Sequence, residues 1–154
     1  MPQTTLPSVA HQAAARVAVP SDFAFDRLSD AGFVGRWALG SMGLEPVGAG
    51  VFRGCSLFDG SEAYVEIRAE RALGLIDFHV GTKQVRRARI FIRVTPGSVL
   101  GMDAGECLVT MHALRAADAP DTGWARTCLS HEAEIMLIQA QLETDWSQRA
   151  GGGA

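Results

Sequence analysis

The chain has 154 residues, 47% hydrophobic and 20% charged, with a formal net charge of −3. That is enough apolar material for one compact domain burying about two-thirds of its unfolded surface, and too little for two. The acidic balance lacks the basic excess of a phosphate-binding surface, so nucleic acid is not an expected partner, and the apolar share is too high for a disordered chain.

Met1 to Ser8 carries two prolines and little pattern, and the closing GGGA has nothing to bury. Residues 1–9 and 147–154 are therefore expected to be flexible ends around a single domain over 10–146. AHQAAARVAV alternates and stops at Pro20, which predicts a strand with Ala13, Ala15, Val17 and Val19 on one face. PSDFAFDRLSD then offers Ser21 or Asp22 as an N-cap, Phe23 and Leu28 as apolar anchors and Gly32 as a stop, before a second short helix around FVGRWAL.

From Leu44 to Leu114 the period changes to two, with turn residues at FDGS, RALG, GTKQ and TPGS, predicting a meander of antiparallel strands. In AYVEIRA and LIDFHV, Val65, Ile67, Ala69, Ile76, Phe78 and Val80 form an apolar face opposite Tyr64, Glu66, Arg68, Asp77 and His79. A four-residue connection over 71–74 sets Glu66 against His79 and Arg68 against Asp77; a two-residue one would set Glu66 against Asp77, so the longer is predicted. In the next strand Ala88, Ile90, Ile92 and Val94 should face inward and Arg87, Arg89, Phe91 and Arg93 outward. A loop of turn formers over 116–123 precedes a helix from Trp124 to Arg149, free of Gly and Pro.

At 100° per residue, Leu129, Ala133, Ile135, Met136, Ala140, Leu142 and Trp146 form a broad apolar arc on that helix. Glu132, Gln139 and Glu143 interrupt its middle, while Arg126, Ser130, Glu134, Gln141 and Thr144 occupy a solvent face. A buried carboxylate costs several kcal/mol unless paired or protonated, so something polar should meet the stripe: water, a ligand or an inward side chain such as Arg53. Alternatively, the helix is rotated or bent so that these residues reach solvent at its edges.

Cys55, Cys107 and Cys128 are widely spaced, with no zinc-ligand pattern, and no signal-peptide or membrane-spanning run is present, so a cytoplasmic protein with reduced thiols is expected. His131 and Glu134 at i,i+3 lie on the polar side, and neither a metal nor a cofactor is expected.

The element order, with the stretches VPSDFAFDRLSDAGFVGRW, GVFRG, LGLIDFHVG and HEAEIMLIQAQLE, resembles the SRPBCC, START-like or helix-grip superfamily over about residues 10 to 146, and within it the small bacterial polyketide cyclase/dehydrase-like members. The resemblance implies an α+β fold in which a curved antiparallel sheet of six to seven strands wraps around the long C-terminal helix. It also implies an apolar cavity between them for lipids, sterols, polyketides or other aromatic compounds. The scattered cysteines and the separated His11, His79, His112 and His131 do not match a Rieske-type oxygenase, and GAGVFRG does not match the glycine-rich loop of the pollen-allergen type.

In such a fold the helix stripe would line the cavity, which makes Glu132 a candidate acid or base with a raised pKa, His131 its neighbour and Arg53 a stabiliser of negative charge. Gln139, Met136, Trp37, Phe33, Ile67, Phe78, Ile92 and His112 are candidate ligand contacts, although alternation does not say which face His112 takes. The expected function is binding of a hydrophobic aromatic, polyketide-like or lipid molecule, with cofactor-free cyclisation, dehydration or isomerisation as its reaction if it is an enzyme. The alternatives are a non-catalytic carrier or sensor, and a co-chaperone-like interaction module using the Tyr64, Glu66, Arg68, Asp77 and His79 face, which would also suit a homodimer.

Overall fold

The computed structural model describes residues 8–151; the expectations for residues 1–7 and 152–154 lie outside the described residues. Strand β1 (Ala10–Val17) is followed by helices α1 (Ser21–Leu28) and α2 (Ala31–Trp37). Six strands come next, β2 (Met42–Gly48), β3 (Val51–Cys55), β4 (Glu62–Glu70), β5 (Leu75–Gly81), β6 (Arg86–Pro96) and β7 (Cys107–Leu114), and then helix α3 (Asp121–Gly151). All seven strands pair antiparallel in the order β1-β7-β6-β5-β4-β3-β2. This is the expected α+β arrangement: a curved sheet, two short helices after the first strand, and a long C-terminal helix, which continues five residues past Trp146.

Local chemistry explains the boundaries. Pro20 sits in an extended conformation and starts α1, and the Asp30 carboxylate caps α2 by accepting from the Phe33 N–H at 3.1 Å. The β4–β5 connection is the four-residue form, with Glu66 opposite His79 and Arg68 opposite Asp77. Gly74 closes it at φ 63°, where an added Cβ would stand 2.2 Å from the Val94 carbonyl oxygen.

The core lies between the inner face of the sheet and α3, where Val17, Ile76, Ile92, Met111, Ile138 and Leu142 are fully buried. Each such aliphatic side chain contributes roughly 1.5–3 kcal/mol on burial. Cys107 belongs to this core, and burial pushes its thiol up to about 11, whereas Cys55 is exposed.

Neither Ser21 nor Asp22 caps α1, whose N-cap is Pro20 without a side-chain bond; Gly32 lies inside α2 and does not stop α1; and α3 starts at Asp121, before Trp124, and contains Gly123. The structure departs from the sequence reading at three larger places as well. In β6 a bulge shifts the register: Ile90 still opposes Phe78, but Ala88 opposes His79 and Arg87 opposes Val80. Arg89 is the extra residue, so Ala88 joins the outer face and Arg87 takes the side of the inward Val80. Second, Arg53 opposes Tyr64 and His112 opposes Phe91, which places both on the face turned away from α3.

Third, α3 presents a face rotated by roughly a quarter turn from the expected arc. Trp124, His131, Glu134, Ile135, Ile138 and Leu142 are buried, while Leu129 and Met136 are 71% and 70% exposed. The polar residues in the middle of the expected arc decide this. β1 is a sheet edge with free backbone groups, and the helix supplies partners for them. Gln139 donates to the Arg16 carbonyl at 3.1 Å, Glu143 accepts from the Ala18 N–H at 3.0 Å, and Glu132 meets the His11 ring at 2.9 Å. On its other flank Gln141 donates to the Arg36 carbonyl at 3.2 Å, and Asp145 receives Arg27 and Arg36. The stripe does meet something polar, and it is the edge strand.

Candidate functional site

Between α3 and the sheet lies a cavity of about 250 Å³. Its apolar wall is Val65, Phe78, Val80 and Ile90 from β4, β5 and β6, facing Val34 and Trp37 of α2. The Trp37 and Phe78 rings meet edge-on, at 89° with centroids 6.1 Å apart, which fixes the indole plane. Ser41, Ser56, Ser61 and Ser130 also line it, the first two of them buried, and the Arg126 guanidinium stacks over Phe58.

α3 carries His131 and Glu134 into this cavity, 2% and 5% exposed. The spacing of His131, Ile135, Ile138 and Leu142 puts them on one stripe, and the last three anchor the helix so that His131 and Glu134 lie at the cavity end of its buried face. Glu134 Oε1 accepts the Leu39 N–H at 2.8 Å, just beyond the end of α2, and Oε2 has no hydrogen-bond partner. His131 Nε2 lies 3.7 Å from that oxygen, beyond hydrogen-bonding distance, and Nδ1 has no partner. Trp37 Nε1, on the facing helix, is likewise unpartnered.

Burial sets the charge of these groups. It pushes the Glu134 carboxyl up to about 7, against the opposing effect of the Leu39 N–H. It pushes the His131 imidazole down to about 4, helped by the neighbouring His11 ring at 6.0 Å and opposed by Glu132. At neutral pH the site therefore holds a neutral imidazole, a carboxyl group poised between its two forms and an indole donor. A carboxyl titrating near neutrality can give or take a proton, and the imidazole and indole beside it carry hydrogen-bonding atoms that the protein leaves unmatched.

Of the residues singled out from the sequence, His131, Trp37 and Phe78 line the cavity. Phe33, Ile67 and Ile92 do not line it and pack with the core, Phe33 beneath the Arg27 and Arg36 guanidinium groups. Glu132, 61% exposed at its side chain, and Gln139 serve the β1 edge, Met136 faces outward, and Arg53 and His112 are on the opposite face of the sheet. Tyr64, Glu66, Arg68, Asp77 and His79 share that outer face, where Arg86 and Arg68 lie 2.6 and 3.2 Å from Glu66 and hold its carboxyl below the usual range. Sequence reasoning missed Glu134, which it assigned to solvent. The available signal was the 4-3-4 spacing of His131, Ile135, Ile138 and Leu142, which places Glu134 beside that stripe.

Among the described residues no three His, Cys, Asp or Glu side chains gather as a metal site would require, and no helix is long and apolar enough to cross a membrane.

No family model and no curated protein matches the chain. Solved structures match its fold. The protein XoxI from Bacillus cereus superposes with a TM-score of 0.66 at 8% identity, covering 88% of this chain and 96% of that one. The Aha1 dimer from Colwellia psychrerythraea gives 0.64 at 8% identity over 88% and 97%. The di-domain ARO/CYC protein BexL from the BE-7585A biosynthetic pathway gives 0.64 at 16% identity, covering 87% of this chain and 46% of BexL. With its sheet order, two short helices and long closing helix, the chain has a helix-grip fold, shared with these structures.

Proposed function

We propose that the protein binds a compact hydrophobic molecule, aromatic or polyketide-like, in the cavity between sheet and α3, as a small polyketide cyclase/dehydrase-like member of the SRPBCC, START-like superfamily. The observation that carries this is one apolar cavity lined by Glu134, His131 and Trp37, each of which also has a buried side-chain atom without a partner, Oε2, Nδ1 and Nε1. Leaving buried polar atoms unmatched costs about 1–3 kcal/mol each, a cost that a ligand oxygen or nitrogen would offset. At about 250 Å³ the space suits a ring system better than a long acyl chain. The fold likeness to an ARO/CYC protein supports the same reading.

Glu134 gives the site a group for proton transfer, with His131 beside it as a neutral relay, the chemistry that cofactor-free cyclisation, dehydration or isomerisation requires. A carrier would use the same atoms only to orient its cargo.

Titration with N-phenyl-1-naphthylamine, an uncharged fluorescent aromatic probe, tests the binding. The wild type should give a saturable rise, and Ser130→Phe, which enlarges a lining side chain, should weaken it by roughly tenfold or more. Equal binding by the two proteins would overturn the proposal.

A further inference from the structure

The cavity has an open continuation. It shares Val80, Ile90 and Thr127 with a trough of about 230 Å³, which in turn shares Arg89 and Leu114 with a cleft of about 400 Å³ at the ends of β6 and β7. That cleft is lined by Arg87, Arg89 and Arg115, with Asp118. An apolar interior thus leads to an arginine-rich opening in a chain whose net charge is −3.

The charge state of that opening is unusual within the molecule. Most arginines have a carboxylate or an aromatic ring as partner, and Arg115 pairs with Asp121 at 2.6 Å. Among the described residues, Arg87, Arg89 and Arg93 have no ion pair, side-chain hydrogen bond or aromatic partner. Arg93 opposes Leu75 on the outer face, away from the trough. Arg87 and Arg89 are gathered at its mouth by the bulge, which sets Arg87 across from Val80, itself a cavity wall. Asp118 also lines the cleft but forms no ion pair with either arginine, so both guanidinium groups keep donors that one oxyanion could accept from with charge-assisted hydrogen bonds.

We infer that the cavity's ligand is an amphiphile: an apolar ring body seated against Phe78 and Trp37, carrying a carboxylate or phosphate group that Arg87 and Arg89 receive at the open end. This rests on the cavity being a ligand site and adds the charge and polarity of what enters it. Hydrogen bonds to Glu134 and Trp37 would orient the inner end while the arginines fix the outer one.

Two probes with one ring system separate the contributions. 8-Anilinonaphthalene-1-sulfonate is N-phenyl-1-naphthylamine with an added sulfonate. The wild type should bind the sulfonate more tightly. The exposed-site variant Arg87→Gln/Arg89→Gln should lose about tenfold in affinity for it while holding the uncharged probe unchanged. Arg93→Gln should alter neither, and 1-naphthoate or 1-naphthyl phosphate should displace the sulfonate probe, the better competitor identifying the preferred oxyanion. Sulfonate binding that ignores Arg87 and Arg89, or falls equally in Arg93→Gln, would overturn the inference and leave the cavity reading intact. Arginine-dependent sulfonate binding that the uncharged probe cannot displace would overturn the link between cleft and cavity. Failure of both probes to bind the wild type would overturn the cavity reading itself, and this inference with it.

Discussion

The Glu134 carboxyl is tied to the backbone of Leu39 by one oxygen, at 2.8 Å from the amide nitrogen, and its other oxygen is buried without a hydrogen-bond partner. One bond therefore fixes the acid and joins α3 to the end of α2. Its proton makes stability depend on pH. With a folded value of about 7 against an ordinary 4.5, the folded chain keeps a proton that the unfolded chain has lost, so stability falls as pH rises from about 4.5 to 7. Glu134→Gln keeps an acceptor for Leu39 and removes that fall. It should be more stable than wild type at pH 8 by on the order of 2–3 kcal/mol, with little gain at pH 4, read from denaturant melts at the two pH values. A gain independent of pH would contradict the buried, protonating carboxyl.

His131 works in the opposite direction. Its folded value of about 4 lies below the ordinary 6.5, so the unfolded chain takes up a proton that the folded chain does not, and stability is lost as pH drops from about 6.5 to 4. In wild type the two slopes oppose each other over the shared range; in Glu134→Gln only the histidine slope remains. NMR of the imidazole should show His131 neutral at pH 5.5. A protonation midpoint near 6.5 would place the ring in water.

Glu132 and Glu134 should separate cleanly on binding. Glu132→Gln alters an exposed contact with His11 and should leave affinity for N-phenyl-1-naphthylamine within about a factor of two. Glu134→Gln changes a cavity-lining group, and if turnover of a substrate is found it should fall by about 10²–10⁴ in this variant alone. Equal losses in both variants would mean that the helix face is misassigned.

The stitching of α3 to β1 has its own readout. Glu143→Ala removes the acceptor of the Ala18 N–H and should cost about 1 kcal/mol while accelerating hydrogen exchange at that amide. Unchanged exchange at Ala18 would show that the edge strand does not depend on the helix.

The fold was largely legible because its signals are local. Alternation, turn residues and charge pairing specified the β4–β5 register down to Glu66 opposite His79, and Pro20 marked the start of α1, whereas the cap of α2 proved to be Asp30 and Gly32 fell inside that helix. The site was less legible because it depends on rotation about one helix axis. Counting apolar residues favoured Leu129 and Met136, but Glu132, Gln139 and Glu143 are taken up by β1 and the residue that follows it, and with that face of the helix on the sheet edge Glu134 is turned inward. The β6 bulge was hidden for a similar reason: alternation through Arg87, Arg89 and Ile90 reads smoothly, and only the pairing with β5 reveals the extra residue.

The most direct test of a ligand cavity bounded by Trp37 and Glu134 is the indole N–H region of a ¹⁵N–¹H spectrum. The chain has three tryptophans, and Trp37→Phe assigns the signal of the one that lines the cavity and whose Nε1 is unpartnered. Titration with N-phenyl-1-naphthylamine should shift the Trp37 signal progressively to saturation while that of Trp146, packed on Phe23 away from the cavity, stays in place. A Trp37 signal that does not move while the probe's fluorescence saturates would contradict the account.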